Sequence, residues 1–214
     1  MKGIFYVLLT LFALSIKAQS TQTESQRILE SAAAAIRTGG GIKADFTMKM
    51  LDNGKLLEEI KGSIRLKGEL FLLKTEDTVI WFDGKTQWSY WVEMEEVNVT
   101  NPTTEELQSI NPYALLSAYQ TGFECEKGGE TSFQGKPVDE VLLTETANNR
   151  HEILRARLYI TKETHQLAFI AIEQPGGSCS EITVTGYRTK MMYEDALFRF
   201  NRKEYPNAEI IDLR

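Results

Sequence analysis

Val79-Ile80-Trp81-Phe82-Asp83-Gly84-Lys85-Thr86-Gln87-Trp88-Ser89-Tyr90-Trp91 is the stretch whose reading decides the fold. Two runs rich in aromatic and β-branched residues flank Asp83-Gly84, a pair that tolerates the positive φ angles of a tight type I′ turn, so the stretch reads as a β-hairpin. A two-residue turn sets Phe82 opposite Lys85 and Trp81 opposite Thr86. Val79, Trp81, Trp88 and Tyr90 then share one face, and Ile80, Phe82, Gln87, Ser89 and Trp91 share the other. Both faces are apolar, so the hairpin is either buried between two layers or lines an apolar cavity.

Working outward, more strands appear on both sides. Before the hairpin, Ala44, Phe46, Met48 and Met50 alternate with charged and polar residues, Asp52-Asn53-Gly54 supplies a turn, Leu56 to Leu66 continues with an interruption at Gly62, and Glu69 to Lys74 follows. After it come Glu95 to Thr100 and, further on, Phe123 to Lys127, Val138 to Thr144, Ile153 to Thr161, Leu167 to Glu173, Ser180 to Tyr187, Leu197 to Phe200 and Glu209 to Leu213. Helical spacing is found in two places. Ile28, Ala32, Ala35 and Ile36 form an apolar stripe behind a capping box read at Thr21 and Glu24, ended by Gly39-Gly40-Gly41. Asn111-Pro112 starts a short helix from Tyr113 to Tyr119, a lid carrying Leu115 and Leu116, while Asn101 to Glu106 has the turn and helix-start chemistry of a loop. The expected class is mainly β with a few helices: a half-open antiparallel β-barrel of about eleven strands covered by lid helices.

Met1-Lys2, the apolar run Ile4 to Leu14 and the small residue Ala18 have the layout of a secretory signal peptide. The expected organisation is a leader over residues 1–18 and one domain over 19–214. No cysteine follows the apolar run to accept a lipid, so the exported chain is expected to be soluble outside the cytoplasm. Removing Lys2 and Lys17 leaves 22 of the 24 basic residues against 30 acidic ones, a net charge of −8, which argues against nucleic acid as a partner. Cys125 and Cys179 are the only cysteines, and a disulfide between them and two separate thiols both fit the sequence.

Little in the chain looks catalytic. Nucleophilic catalysis needs a Ser or Cys beside an oriented His, and the only histidines, His151 and His165, sit at predicted turns among polar residues. A metal site needs clustered ligands; Glu95 and Glu96 point to opposite faces of a strand, so none is expected. No cofactor is expected, and the chain is read as a non-enzyme. What remains is apolar surface: Phe46, Met48, Ile64, Leu66, Phe71, Leu73, Trp81, Trp88 and Tyr90 are the candidates for one concave wall, under a lid carrying Ile28, Tyr113, Leu115 and Leu116. Thioether and aromatic walls suit a flexible acyl chain, each buried methylene contributing about 0.8 kcal/mol.

Gly62-Ser63-Ile64-Arg65-Leu66-Lys67, Leu70-Phe71, Phe82-Asp83-Gly84-Lys85-Thr86-Gln87-Trp88-Ser89-Tyr90, Asn111-Pro112-Tyr113 and Phe198-Arg199-Phe200, in this order and spacing, resemble the periplasmic outer-membrane lipoprotein carrier family (LolA-like) over nearly the whole mature chain. The resemblance implies a carrier that shields the acyl chains of lipoproteins between the two membranes. Its partners would be acylated lipoproteins, an inner-membrane lipoprotein-releasing ABC transporter and an outer-membrane acceptor, and the carrier would act as a monomer. Phe71 matches a family phenylalanine at the cavity mouth that affects transfer, and Tyr113 falls among lid residues. Many relatives carry Lys-Arg-Pro before the strand of that phenylalanine, with the arginine pinning the lid; this chain has Lys67-Gly68-Glu69 there. A second reading is a lipid-binding sensor or regulatory module of the same fold. Such modules usually carry a further domain, whereas this chain ends at Arg214.

Overall fold

The computed structural model describes residues 22–146 and 153–214. The expected leader, Thr21 and His151 lie outside the described residues. The helix α1 spans Glu24–Thr38 and starts two residues later than read: Thr23 is the N-cap, accepting from the Gln26 amide at 3.2 Å while the Gln26 side chain accepts from the Thr23 amide at 2.9 Å. The chemistry is that of the expected capping box, two helix-start amides satisfied reciprocally. At the other end the Gly39 amide donates to Ala35 O.

Twelve strands follow among the described residues: β1 Gly41–Asp52, β2 Lys55–Lys67, β3 Leu70–Lys74, β4 Thr78–Phe82, β5 Gln87–Trp91, β6 Glu96–Thr100, β7 Phe123–Phe133, β8 Lys136–Glu145, β9 Arg155–Thr161, β10 Leu167–Glu173, β11 Ser178–Met191 and β12 Glu209–Asp212. They make one open sheet in the order β12-β6-β5-β4-β3-β2-β1-β11-β10-β9-β8-β7. Two meanders, β1 to β6 and β7 to β11, are joined where β1 pairs with both β2 and β11. The pairs are antiparallel except for β12, which runs parallel to β6. The half-open, mainly antiparallel architecture expected from the sequence is therefore the observed one.

Two elements differ from expectation. Gly62 does not interrupt β2: it pairs with Phe46, and a Cβ there would meet the Phe46 ring at 2.5 Å and Lys74 O at 2.7 Å. Only glycine leaves room for that ring at full strand geometry. Leu197 to Phe200 is not a strand; Asp195–Phe198 forms a 3-10 turn with Phe198 wholly buried, and the edge of β6 is taken by β12.

Side-chain alternation divides the sheet into two faces. On the concave face, Ile42, Ala44, Phe46, Ile64, Leu66, Phe71 and Phe82 join the inward residues of β8 to β11 beneath the helices. On the convex face, Leu72, Val79, Trp81, Tyr90, Val97 and Val99 are covered by the segment from Tyr193 to Ala208. Each such side chain, fully buried, contributes about 1.5–3 kcal/mol.

Candidate concave binding site

The β4–β5 hairpin turns around Gly84-Lys85, not Asp83-Gly84. Asp83 N–H donates to Thr86 O at 3.2 Å, Asp83 Oδ1 accepts from the amides of Lys85 and Thr86, and Gly84 takes the positive φ of +92°. Trp81 therefore faces Trp88 and Phe82 faces Gln87, one pair out from the expected register. Because the slip is two residues, no side chain changes face.

The wall is made by the other hairpin face. Ile80 and Trp91 join Ala44, Phe46, Met48, Ile60, Ile64, Leu73, Ile110, Leu167, Ile170, Ile182 and Val184 around an inner cavity of about 310 Å³. Apart from Thr75, Thr78, the Tyr113 phenol and the Trp91 indole nitrogen, its lining is hydrocarbon or thioether. An outer cavity of about 780 Å³ lies between the sheet and the helices. Leu66, Phe71 and Phe82 come from the sheet side and Ala33, Ile36, Leu107 and Leu116 from the helical side, while Arg37, Glu69, Lys85, Asn101, Thr104, Ser117 and Gln120 make this cavity more polar.

The covering elements are α1, a helix α2 over Thr104–Ile110 and a 3-10 helix over Pro112–Gln120. The start chemistry read as a loop at Asn101 to Glu106 leads into α2, whose capping box is Thr103 and Glu106. Thr103-x-x-Glu106 is the signal that identifies this helix in the sequence. Asn111 caps the 3-10 helix as expected, its Oδ1 accepting from the Tyr113 amide at 3.1 Å. Nine residues is long for a 3-10 run, whose hydrogen-bond geometry is poorer than that of an α-helix.

These elements are fastened by polar contacts at their margins. The Tyr119 hydroxyl donates to Glu30 at 2.8 Å, tying the 3-10 helix to α1. Ser25 Oγ donates to Cys125 O at 3.0 Å, and Lys127 Nζ meets Glu24 at 2.7 Å, tying the start of α1 to β7. The Lys127 hydrogen bond and charge hold Glu24 below the usual carboxylate range, and Glu24 in turn raises Lys127. Hydrogen bonds from Gln22 and Tyr119 lower Glu30 likewise. Lys67, at the end of β2, reaches the convex side: Nζ donates to Tyr193 O and Asp195, each at 2.7 Å. Gly68, with φ +59°, makes the β2–β3 turn and borders the outer cavity.

Tyr113 borders both cavities. Its ring is half-buried, but its hydroxyl oxygen has less than 1 Å² exposed and no hydrogen-bond partner. Burial, with a smaller contribution from Tyr187, raises its pKa, and burial pushes Tyr187 up to about 12; both phenols are neutral throughout the physiological range.

Of the residues read as the wall, Phe46, Met48, Ile64 and Leu73 line the inner cavity and Leu66 and Phe71 the outer one. Trp81, Trp88 and Tyr90 lie instead on the convex face under Phe198, Phe200 and Tyr205, so their place on the wall is corrected. The reason is that both hairpin faces are apolar and their composition does not say which is inside. Of the lid residues, Tyr113 and Leu116 border cavity space, while Ile28 and Leu115 pack into the core. Ile36, Ile60, Ile80, Trp91, Leu107 and Ile110 are additional lining residues. For Ile80 and Trp91 the signal was the alternation itself, which grouped them with Phe82. Cys125 and Cys179 are separate thiols, on strands β7 and β11 with three strands between them. His165 is exposed in the β9–β10 turn. Among the described residues no three His, Cys, Asp or Glu side chains are grouped to hold a metal ion.

Residues 14–146 match the family described as outer membrane lipoprotein carrier protein LolA. No curated protein matches the sequence. Among solved structures, an uncharacterized conserved protein from Thermus thermophilus shares the fold with a TM-score of 0.62 at 12% identity, covering 89% of this chain and 99% of its own. A LolA superfamily protein from Nitrosomonas europaea aligns with a TM-score of 0.48 at 10% identity, covering 82% of this chain and 97% of its own.

Proposed function

Because this chain belongs to the outer membrane lipoprotein carrier family, we propose that it is a soluble periplasmic chaperone that shields the acyl chains of lipoproteins while they move from the inner to the outer membrane. The observation that carries the reading is the inner cavity: a nearly all-apolar space beside a larger, more polar one that has room for the head of the same ligand. Acyl chains cross water only if their methylenes stay buried, and the inner lining offers burial at about 0.8 kcal/mol per methylene. Residues 1–18 act as the export leader and 19–214 as one carrier domain without catalytic activity. An ABC transporter loads it and an outer-membrane acceptor unloads it, with the carrier a monomer in between.

The test is gentle purification of the protein from its own periplasm, with mass spectrometry of what accompanies it. Acylated lipoproteins at near-stoichiometric levels are expected, and Met48→Glu, which sets a carboxylate in the inner wall, is expected to remove them while the thermal transition persists. Phospholipid in their place would redirect the function to lipid transport. Undiminished lipoprotein delivery by Met48→Glu would refute the assignment of the cavity.

A further inference from the structure

Three buried side-chain polar atoms have no hydrogen-bond partner among the described residues: Gln87 Oε1, Tyr113 Oη and Tyr193 Oη. Of these three side chains only that of Tyr113 borders the inner and outer cavities, and it is the one residue common to their linings. It stands where the more polar space gives way to the apolar one. A ligand with an apolar tail and a polar head has its junction at this boundary when it occupies both cavities, and the junction of an acyl chain is a carbonyl.

A buried hydroxyl without a partner is unfavourable, because it loses its water and receives nothing in return. A phenol that stays protonated is a hydrogen-bond donor, and an ester or amide carbonyl is an acceptor that offers no competing proton. The ring sits on a 3-10 helix that is long for its kind, with hydrogen-bond geometry poorer than that of an α-helix, so it yields more readily. We propose that Tyr113 is the polar anchor of the site: when a chain enters the inner cavity the ring turns, and Oη donates a hydrogen bond to the carbonyl of the ester or amide linkage at the head of that chain. The ligand class is thereby narrowed to long-chain acyl esters and amides, in preference to plain hydrocarbon. The inference rests on the acyl-cavity reading of the concave face.

The experiment compares the wild-type protein with Tyr113→Phe, which keeps the ring and removes the hydroxyl. Diphenylhexatriene, a hydrocarbon fluorophore, reports occupancy, and methyl palmitate and octadecane, chains of equal length with and without an ester, displace it. Tyr113→Phe is expected to weaken displacement by methyl palmitate about fivefold, the worth of one neutral hydrogen bond, and to leave octadecane unchanged. Losing the unsatisfied hydroxyl is also expected to raise the Tm of the empty protein by about 2–4 °C, a rise that would exclude misfolding as the cause. Equal behaviour of the two proteins toward methyl palmitate, or an equal loss toward both displacers, would overturn the anchor. If the wild type bound diphenylhexatriene and octadecane but not methyl palmitate, the cavity reading would stand and the anchor would fall. If it bound none of the three, the cavity reading itself would fall and take the anchor with it.

Discussion

Phe71 stacks on Phe82 across β3 and β4, ring centroids 5.4 Å apart and planes inclined by 29°. Both rings are almost completely buried although they edge the outer cavity. This pair belongs to the core as much as to the site. Phe71→Ala is expected to destabilise the protein by about 3–5 kcal/mol in urea denaturation, and Phe71→Glu, which buries an unpaired charge, to prevent folding. An unchanged denaturation midpoint for Phe71→Ala would refute the core role.

Tyr205 is the hub of the convex aromatic cluster, with centroids 5.4 Å from Trp81, 4.7 Å from Tyr90 and 5.6 Å from Phe200. Tyr205→Ala is expected to reduce stability by about 2 kcal/mol, because its ring is half-buried, and to leave diphenylhexatriene binding unaltered. A large change in probe affinity at constant stability would place this cluster in the binding site.

Gly62 makes the close approach of Phe46 possible. Gly62→Ala is expected to push the Phe46 ring toward the inner cavity, destabilising the protein by about 1–3 kcal/mol and weakening binding of long chains more than short ones. Displacement titrations with alkanes of increasing length measure the second effect, and equal losses at all lengths would contradict it.

The fastening of α1 to β7 depends on pH. The folded pKa of Glu24 is depressed, so its contribution is present above the ordinary carboxylate pKa and is lost as pH falls through the folded value. Lys127 is raised, so its contribution is present below the ordinary lysine pKa and is lost as pH rises through the folded value. Both side chains are at the surface, and the effect is local and small. Hydrogen exchange of the first turns of α1 is expected to be slowest, after correction for intrinsic rates, between about pH 5 and pH 10. Lys127→Met should flatten this profile; a profile identical to wild type would remove the ion pair from the account.

The strand content and the covering helices were legible because period-two alternation, turn residues and caps each have a local physical cause. The face grouping of the hairpin survived an incorrect turn position, since Trp81 moved from Thr86 to Trp88, a shift of two. The identity of the inner face was not legible. Trp81, Trp88 and Tyr90 are as apolar as Ile80, Phe82 and Trp91, and what separates them is the segment around Phe198 and Tyr205, more than a hundred residues later. Local periodicity carries no information about which distant segment covers which face. The role of Tyr113 was half legible: Asn111-Pro112 placed it at the start of a covering element, but its place between two cavities is a tertiary property.

β7 and β12, the two ends of the sheet, do not pair with each other. In a closed barrel the strand number and stagger fix the diameter, and enlarging the interior means breaking ladder hydrogen bonds. Here the sheet can flatten or curl slightly at the strand junctions with its ladder bonds kept, while the helices above it are held by the core packing of Leu29, Leu115 and Leu116 and by polar contacts at their margins. The volume on the concave side is therefore elastic: it can grow or shrink without any step that resembles unfolding.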